Sequence, residues 1–241
     1  MTLAPSPETI IAAPSQAATR TPKIQPMLAL LDYGAGNIRS VEKALRAVGA
    51  EVRRVASPDG LADAHGMVLP GVGAFDDCMN SMQRQDLCGA VTGWIAAGKP
   101  FLGICVGYQA LFERSEEFNS CALGLGVFKG PVVRFRPTAE EPRLKIPQIG
   151  WNEVDVTQPD CPLFAGIPDR SHFYFVHSFF PRPADASIIA GSADYGGPFA
   201  AAVRRDNVWA TQFHPEKSQQ VGLRLLRNFV DFAAGRTARA V

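Results

Sequence analysis

The sequence predicts an α/β protein with a mostly parallel central sheet flanked by helices and an added antiparallel portion. Two patterns predict it. In the first half, short and wholly apolar runs alternate with amphipathic helical stretches; in the second half, strand-like runs follow one another with only turn residues between them.

In order, MLALLDY (27–33) is a buried strand stopped at Gly34. VEKALRAVGAEV has helical spacing ended by Gly49 and leads into a second strand, EVRRVA. GMVLPGVGAF carries an apolar strand, Met67 to Leu69, into a Pro and Gly loop. One helical stretch then runs through Trp94 and closes at Gly98, before PFLGIC supplies another buried strand and a helix after Cys105. This is the βαβ rhythm of parallel strands covered on both faces. From VFKGPVVRFRP onward, GWNEVDV, HFYFVHSFF, SIIAGSADY, FAAAVRRD and NVWATQFHP read as strands joined by turns. Residues 218–234 form an amphipathic helix with Val221, Leu225, Phe229 and Phe232 on one face and Ser218 at the N-cap.

No repeat or linker interrupts 27–241, which reads as a single domain. Residues 1–26, rich in Pro, Ala, Ser and Thr, read as a disordered extension without the basic start and apolar run of a secretory signal. With 46% apolar residues the 241-residue chain can build a large core. Lys and Arg number 24 against 23 Asp and Glu and form no basic stripe, so neither nucleic acid nor an anionic membrane is the expected partner. No apolar run approaches the roughly 20 residues of a membrane span. The five cysteines are odd in number and show no CxxC pair or zinc-type histidine spacing, which predicts no metal and free thiols in a reducing cytoplasm.

Within FLGICVGYQALF, Cys105 stands between Gly103 and Gly107 at the junction of a strand and a helix. Small residues on both sides allow a sharp strand-to-helix turn that lifts the thiol out of the core and aims it at a helix N-terminus. The pentapeptide fits a nucleophile and a buried structural cysteine equally. Cys78, Cys88, Cys121 and Cys161 lack this setting.

A thiolate nucleophile needs a proton acceptor, and His65, His172, His177 and His214 are the choices. His214 ends a strand, and Glu216 follows at the spacing that places both side chains on one face of an extended segment, so the carboxylate can fix the imidazole tautomer. His177, in an aromatic run, could line a site, whereas His65 and His172 read as structural. For an oxyanion, the loop Pro70-Gly71-Val72-Gly73 offers the Val72 N–H beside that of Val106. It also reads as an ordinary turn.

Taken together, LLDYGAGNIRSV, LPGVGAF, GICVGYQALF, IGWNEV, FYFVHSF and TQFHPEKS resemble the class I (triad) glutamine amidotransferases, and within them the family of glutaminase subunits of imidazole glycerol phosphate synthase. The resemblance runs from about Leu28 to the last helix. It implies a flavodoxin-like fold and hydrolysis of glutamine to glutamate and ammonia, with no cofactor. The implied partner is a cyclase subunit in a heterodimer, which uses the ammonia to make imidazole glycerol phosphate and an aminoimidazole carboxamide ribotide in histidine biosynthesis. Carried over by position, Cys105 is the nucleophile, His214 the acid and base, and Glu216 its orienter; Gly71, Gly73, Gln109, Ser178 and Phe179 hold glutamine; Trp151, Asn152, Tyr174 and Lys217 face the cyclase. Tyr108 and Phe179 depart from the family's usual Met and Tyr. A gate in the PGVG loop that responds to the liganded partner is a further expectation. The rivals are the glutaminase of a different synthase, a free-standing cysteine hydrolase, and a catalytically silent binding subunit.

Overall fold

The computed structural model describes residues 25–236 except 35, 36 and 140. The extension expected over 1–26 thus lies outside the described residues apart from its last two positions.

The first four strands, except the second, are buried on both faces, as parallel strands under helices must be. They are β1 (Met27–Leu31), β2 (Glu51–Val55), β3 (Gly66–Leu69) and β4 (Phe101–Ile104). β2 buries only Val52 and Val55 and leaves Glu51, Arg53 and Arg54 exposed, because it is the edge. Helix α1 (Ile38–Ala47) connects β1 to β2 and buries Val41, Ala44 and Leu45.

The helical stretch expected through Trp94 is two helices, α2 (Phe75–Arg84) and α3 (Leu87–Ala96). Asp86, with φ 55°, breaks it, and periodicity in the flanking turns does not register a one-residue reversal. After Cys105 the expected helix is a single turn, α4 (Val106–Gln109), followed by a short strand, β5 (Arg114–Ser115). The N-terminal charge of so short a turn is correspondingly small.

The second half supplies β6 (Pro131–Arg134), β7 (Gln148–Val156), β8 (Ser171–His177), β9 (Phe179–Pro181), β10 (Ile189–Asp194), β11 (Pro198–Arg205) and β12 (Val208–Thr211). The large sheet runs β2-β1-β3-β4-β12-β11-β10-β7-β8. Its pairings are parallel as far as β12 and antiparallel beyond it, and β5, β6 and β9 form a small second sheet. The sequence-distant β12 thereby lies beside β4, with Thr211 opposite Ile104. This pairing brings the residues after each strand, Cys105 and His214, to the same sheet end.

Helix α5 (Gln219–Ala233) closes the fold with Leu225 and Phe229 of the expected face buried, Val221 and Phe232 half-buried, and Leu226, Val230 and Ala233 added to the buried side. Trp209 of β12 stacks on Phe232 at 4.4 Å and meets Phe229 edge-on at 5.9 Å, pairs of the kind worth about 0.5–1.5 kcal/mol beyond burial. Ser218 does not cap this helix. Its hydroxyl donates to the His214 carbonyl at 2.7 Å and accepts from the Tyr174 N–H at 3.0 Å, tying the turn before α5 to β8.

Candidate active site

Cys105 occupies a strained backbone position, φ 53° and ψ −109°. Such a conformation costs on the order of 1–3 kcal/mol and persists only where neighbours enforce it. The enforcing bonds are Cys105 N–H to the Thr211 carbonyl at 2.8 Å, and the Tyr108 and Gln109 N–H groups to the Cys105 carbonyl at 3.0 and 3.1 Å. The glycines serve packing: a side chain at Gly107 would collide with the Leu69 carbonyl, and one at Gly71 would come within 2.6 Å of the Gly107 nitrogen. The turn after β3 and the turn after β4 are therefore pressed backbone to backbone.

His214 is held by what precedes and follows it. Phe213 stacks on Phe173 at 4.1 Å, and the His214 N–H donates to the Tyr174 carbonyl at 2.9 Å. Nδ1 of His214 donates to Oε1 of Glu216 at 2.8 Å, with both side chains buried. The contact is made across a 3-10 turn, Pro215–Lys217, and not along an extended segment: proline fixes the φ that starts the turn. Nε2 has no hydrogen-bond partner among the described residues and faces the electrostatic influence of the Cys105 sulfur. Burial disfavours the imidazolium, but the Cys105 thiolate and the Glu216 carboxylate outweigh it and raise His214 to about 10. The site thus favours a charged imidazole beside the sulfur.

A cavity of about 370 Å³ opens over the sulfur. Of the residues singled out from sequence, Val72, Gly73, Cys105, Val106, Gln109, His177, Ser178, Phe179, His214 and Lys217 line it. The N–H groups of Val72 and Val106 have no acceptor among the described residues. Gly71 is buried behind the cavity against the Cys105 turn. Gln109 donates to the Phe179 carbonyl at 2.9 Å and to Gln212 at 3.3 Å. Trp151, Tyr174 and Lys217 gather on the sheet rim nearby: Trp151 pairs with Tyr174 across β7 and β8, their rings 6.1 Å apart, and the Lys217 ammonium lies 5.8 Å over Tyr174. Asn152 does not join them; its amide donates to the Asp194 carbonyl at 2.8 Å.

Four residues escaped the sequence reading. Gln212, just past β12 and fully buried, donates to Sγ of Cys105 at 3.7 Å, and its place two residues before His214 in the strand-like run VWATQFH is the signal that could have found it. Glu117 is the only acidic residue on the cavity wall among the described residues, its carboxyl raised by burial although it accepts from the Phe75 N–H at 2.7 Å. Tyr33 donates to the Pro70 carbonyl at 2.9 Å and steadies the start of the PGVG loop, while Asn37 donates to Glu216 at 2.7 Å. His65 and His172 lie away from the site, the first accepting from the Met27 N–H at 3.2 Å, the second 3.8 Å from Glu153. Among the described residues all five cysteines are free, no cluster could hold a metal ion, and no helix is long and apolar enough to cross a membrane.

A thiol on a strained strand-to-helix turn, beside a histidine that a carboxylate orients, has the arrangement of a triad-type thiol amidase. In agreement, residues 29–232 match the family model for glutamine amidotransferase class-I, and the chain belongs to that family. Solved structures with the same fold include a glutamine amidotransferase (TM-score 0.66, 20% identity, covering 86% of this chain and 98% of that one) and PurLQS from Thermotoga maritima (TM-score 0.67, 20% identity, 87% and 99%). The closer likeness is to imidazole glycerol phosphate synthase subunit HisH. The chain is 49% identical to the Syntrophotalea carbinolica protein over 85% of this chain and 100% of that one, and 51% identical to the Dechloromonas aromatica protein over 85% and 96%.

Proposed function

We propose that this chain is the glutaminase subunit of an imidazole glycerol phosphate synthase, working with a cyclase subunit in histidine biosynthesis. The observation that carries the reading is the chain of contacts from Cys105 through His214 to Glu216 around one cavity, in a chain half identical to HisH proteins.

The Cys105 thiolate attacks the side-chain amide carbonyl of glutamine, and the oxyanion that develops is met by the Val72 and Val106 N–H groups. His214, charged at the outset, gives its proton to the departing nitrogen, which leaves as ammonia and a thioester remains. The now neutral His214 takes a proton from water, the hydroxide adds to the thioester carbonyl, and collapse releases glutamate and restores the thiolate and imidazolium. Glu216 holds Nδ1–H throughout and so keeps Nε2 on the reacting side. Gln212 steadies the sulfur. The lone wall carboxylate, Glu117, suits the α-ammonium of glutamine. The exposed rim of Trp151, Tyr174 and Lys217, beside the cavity mouth, is the surface we assign to the cyclase.

The test is Cys105→Ala in the reconstituted complex. It should abolish glutamine hydrolysis and leave synthesis from added ammonia intact, because only the ammonia source is lost. Loss of both activities sinks the assignment of Cys105 as nucleophile alone; full glutamine hydrolysis in the variant sinks it outright.

A further inference from the structure

The carbonyl of Phe179 accepts two hydrogen bonds at the cavity wall, from Nδ1 of His177 at 2.8 Å and from Nε2 of Gln109 at 2.9 Å. A carbonyl can only accept, so the end of the Gln109 amide that meets it is the NH2 end. The same nitrogen donates to Oε1 of Gln212 at 3.3 Å, and Gln212 thereby turns its own NH2 toward Sγ of Cys105, at 3.7 Å. One backbone oxygen sets the order of donor and acceptor through two side-chain amides, and the order ends with a donor at the sulfur.

Both amides are tied by their backbones to the residue they serve. Gln109 donates its N–H to the Cys105 carbonyl at 3.1 Å, and Gln212 follows Thr211, whose carbonyl accepts from the Cys105 N–H at 2.8 Å. The Gln212 N–H donates in turn to the Ala201 carbonyl of β11 at 2.8 Å. Gln212 is fully buried and Gln109 nearly so. Buried amides destabilise a fold unless their bonds are made, and here the bonds lead to the nucleophile. A thiolate accepts strongly and a thiol weakly, so a fixed N–H beside the sulfur favours the charged form. The single turn of α4 supplies only a small share of that support.

We propose that Gln212 is a positioning residue for the nucleophile, with Gln109 as its orienter: the line from Phe179 through Gln109 and Gln212 holds the Cys105 sulfur deprotonated and turned toward the amide. The proposal deepens the glutaminase reading and rests on it for the use made of the thiolate. It also narrows what Gln109 can do for glutamine. Both hydrogens of its NH2 are committed, to Phe179 and to Gln212, so Oε1 is left to meet the substrate, and the group it meets must be a donor.

The experiment is the pH profile of Cys105 alkylation by iodoacetamide in the full chain, read by peptide mass mapping so that the other cysteines do not enter. It needs neither glutamine nor a partner, so failure of the glutaminase reading and failure of the relay are told apart. Gln212→Met keeps the length of the side chain and removes the amide. Its alkylation near neutral pH should be about tenfold slower than the parent's and its profile moved to higher pH, while in alkali, where the thiolate forms unaided, the two rates converge. Convergence also shows that the site is folded and open. Gln109→Met should slow the reaction less, and the double variant should be no slower than Gln212→Met, because the two residues act in one line. Should Gln212→Met fail to fold, Gln109→Met carries the test, with the same direction of change expected. An unmoved profile in the variant tested, or effects that multiply in the double variant, overturns the proposal.

Discussion

Oε1 of Glu216 receives two hydrogen bonds at once, from Nδ1 of His214 at 2.8 Å and from Nδ2 of Asn37 at 2.7 Å. The second donor comes from the N-cap position of α1, 179 residues away in sequence, where Asn37 has φ 70°. Asparagine tolerates that conformation better than most residues and still offers an amide. Asn37 fixes the carboxylate that fixes the imidazole.

Asn37→Gly keeps the backbone conformation and removes the amide. A hydrogen bond to a charged group contributes about 1.5 kcal/mol, so kcat for glutamine should fall about tenfold with KM nearly unchanged. Steady-state kinetics of the complex measure it; a rise in KM with kcat intact would place Asn37 in substrate binding instead.

The two glycines of the PGVG loop separate packing from hinge motion. At Gly71 a Cβ would lie 2.6 Å from the Gly107 nitrogen and 2.7 Å from Cβ of Val106, so Gly71→Ala displaces the Cys105 turn and should lower both activity and melting temperature. At Gly73 a Cβ meets nothing, but φ is 97°. Gly73→Ala therefore penalises this loop conformation alone, by about 1–2 kcal/mol. Because this conformation is the one that offers the Val72 N–H to the oxyanion, hydrolysis without the partner should fall by up to about tenfold if the loop is the gate, and the ratio of stimulated to basal rate should change. An unchanged ratio of stimulated to basal rate removes this hinge from the gate.

These residues also show what was legible in the sequence. Buried strands and amphipathic helices announce themselves by period, and the Cys105 and His214 segments carry local chemistry that can be read without neighbours. Ser218 was different: a serine before a helix has the form of an N-cap, and only the proximity of β8 shows that its hydroxyl is spent on Tyr174 and His214. The motif DYGAGN marked the family but not its own work, because Tyr33 and Asn37 reach Pro70 and Glu216 through tertiary contacts. Gly71, which the family resemblance implies at the glutamine, lies behind the cavity with its Cβ direction toward the packed Cys105 turn, a placement only the tertiary fold reveals. The family assignment, by contrast, was in the motifs themselves, as the class-I amidotransferase match bears out.

His177 makes stability depend on acid. Its Nδ1 donates to the Phe179 carbonyl at 2.8 Å, its Nε2 is buried without a partner, and burial lowers it from 6.5 to about 4. Between those values the unfolded chain binds the proton and the folded chain does not. The contribution is fully present above pH about 6.5 and is lost as pH falls toward 4, to a total of about 3 kcal/mol. Urea unfolding of the parent chain and of His177→Gln at pH 7 and pH 4.5 isolates the effect: the loss on acidification should be smaller in the variant by about 2–3 kcal/mol. Equal losses would mean that His177 does not titrate in this window.

The rim residues divide by where their side chains are engaged. Trp151 is 46% exposed and Ile149 64%, an apolar patch at the end of β7 next to Tyr174 and Lys217. Asn152, the next residue on the strand, is already committed to the Asp194 carbonyl. If this patch seats the cyclase, Trp151→Ala removes an aromatic anchor of the kind whose truncation costs about 2 kcal/mol, and the Kd for the cyclase subunit should rise about thirtyfold with the melting temperature of the free chain unmoved. Asn152→Ala should do the reverse, removing a solvent-accessible hydrogen bond to the Asp194 carbonyl and lowering the melting temperature slightly while Kd shifts little. Titration of the cyclase into each variant, alongside thermal melts, reads both effects. A Trp151→Ala chain that binds as tightly as its parent moves the partner surface away from β7.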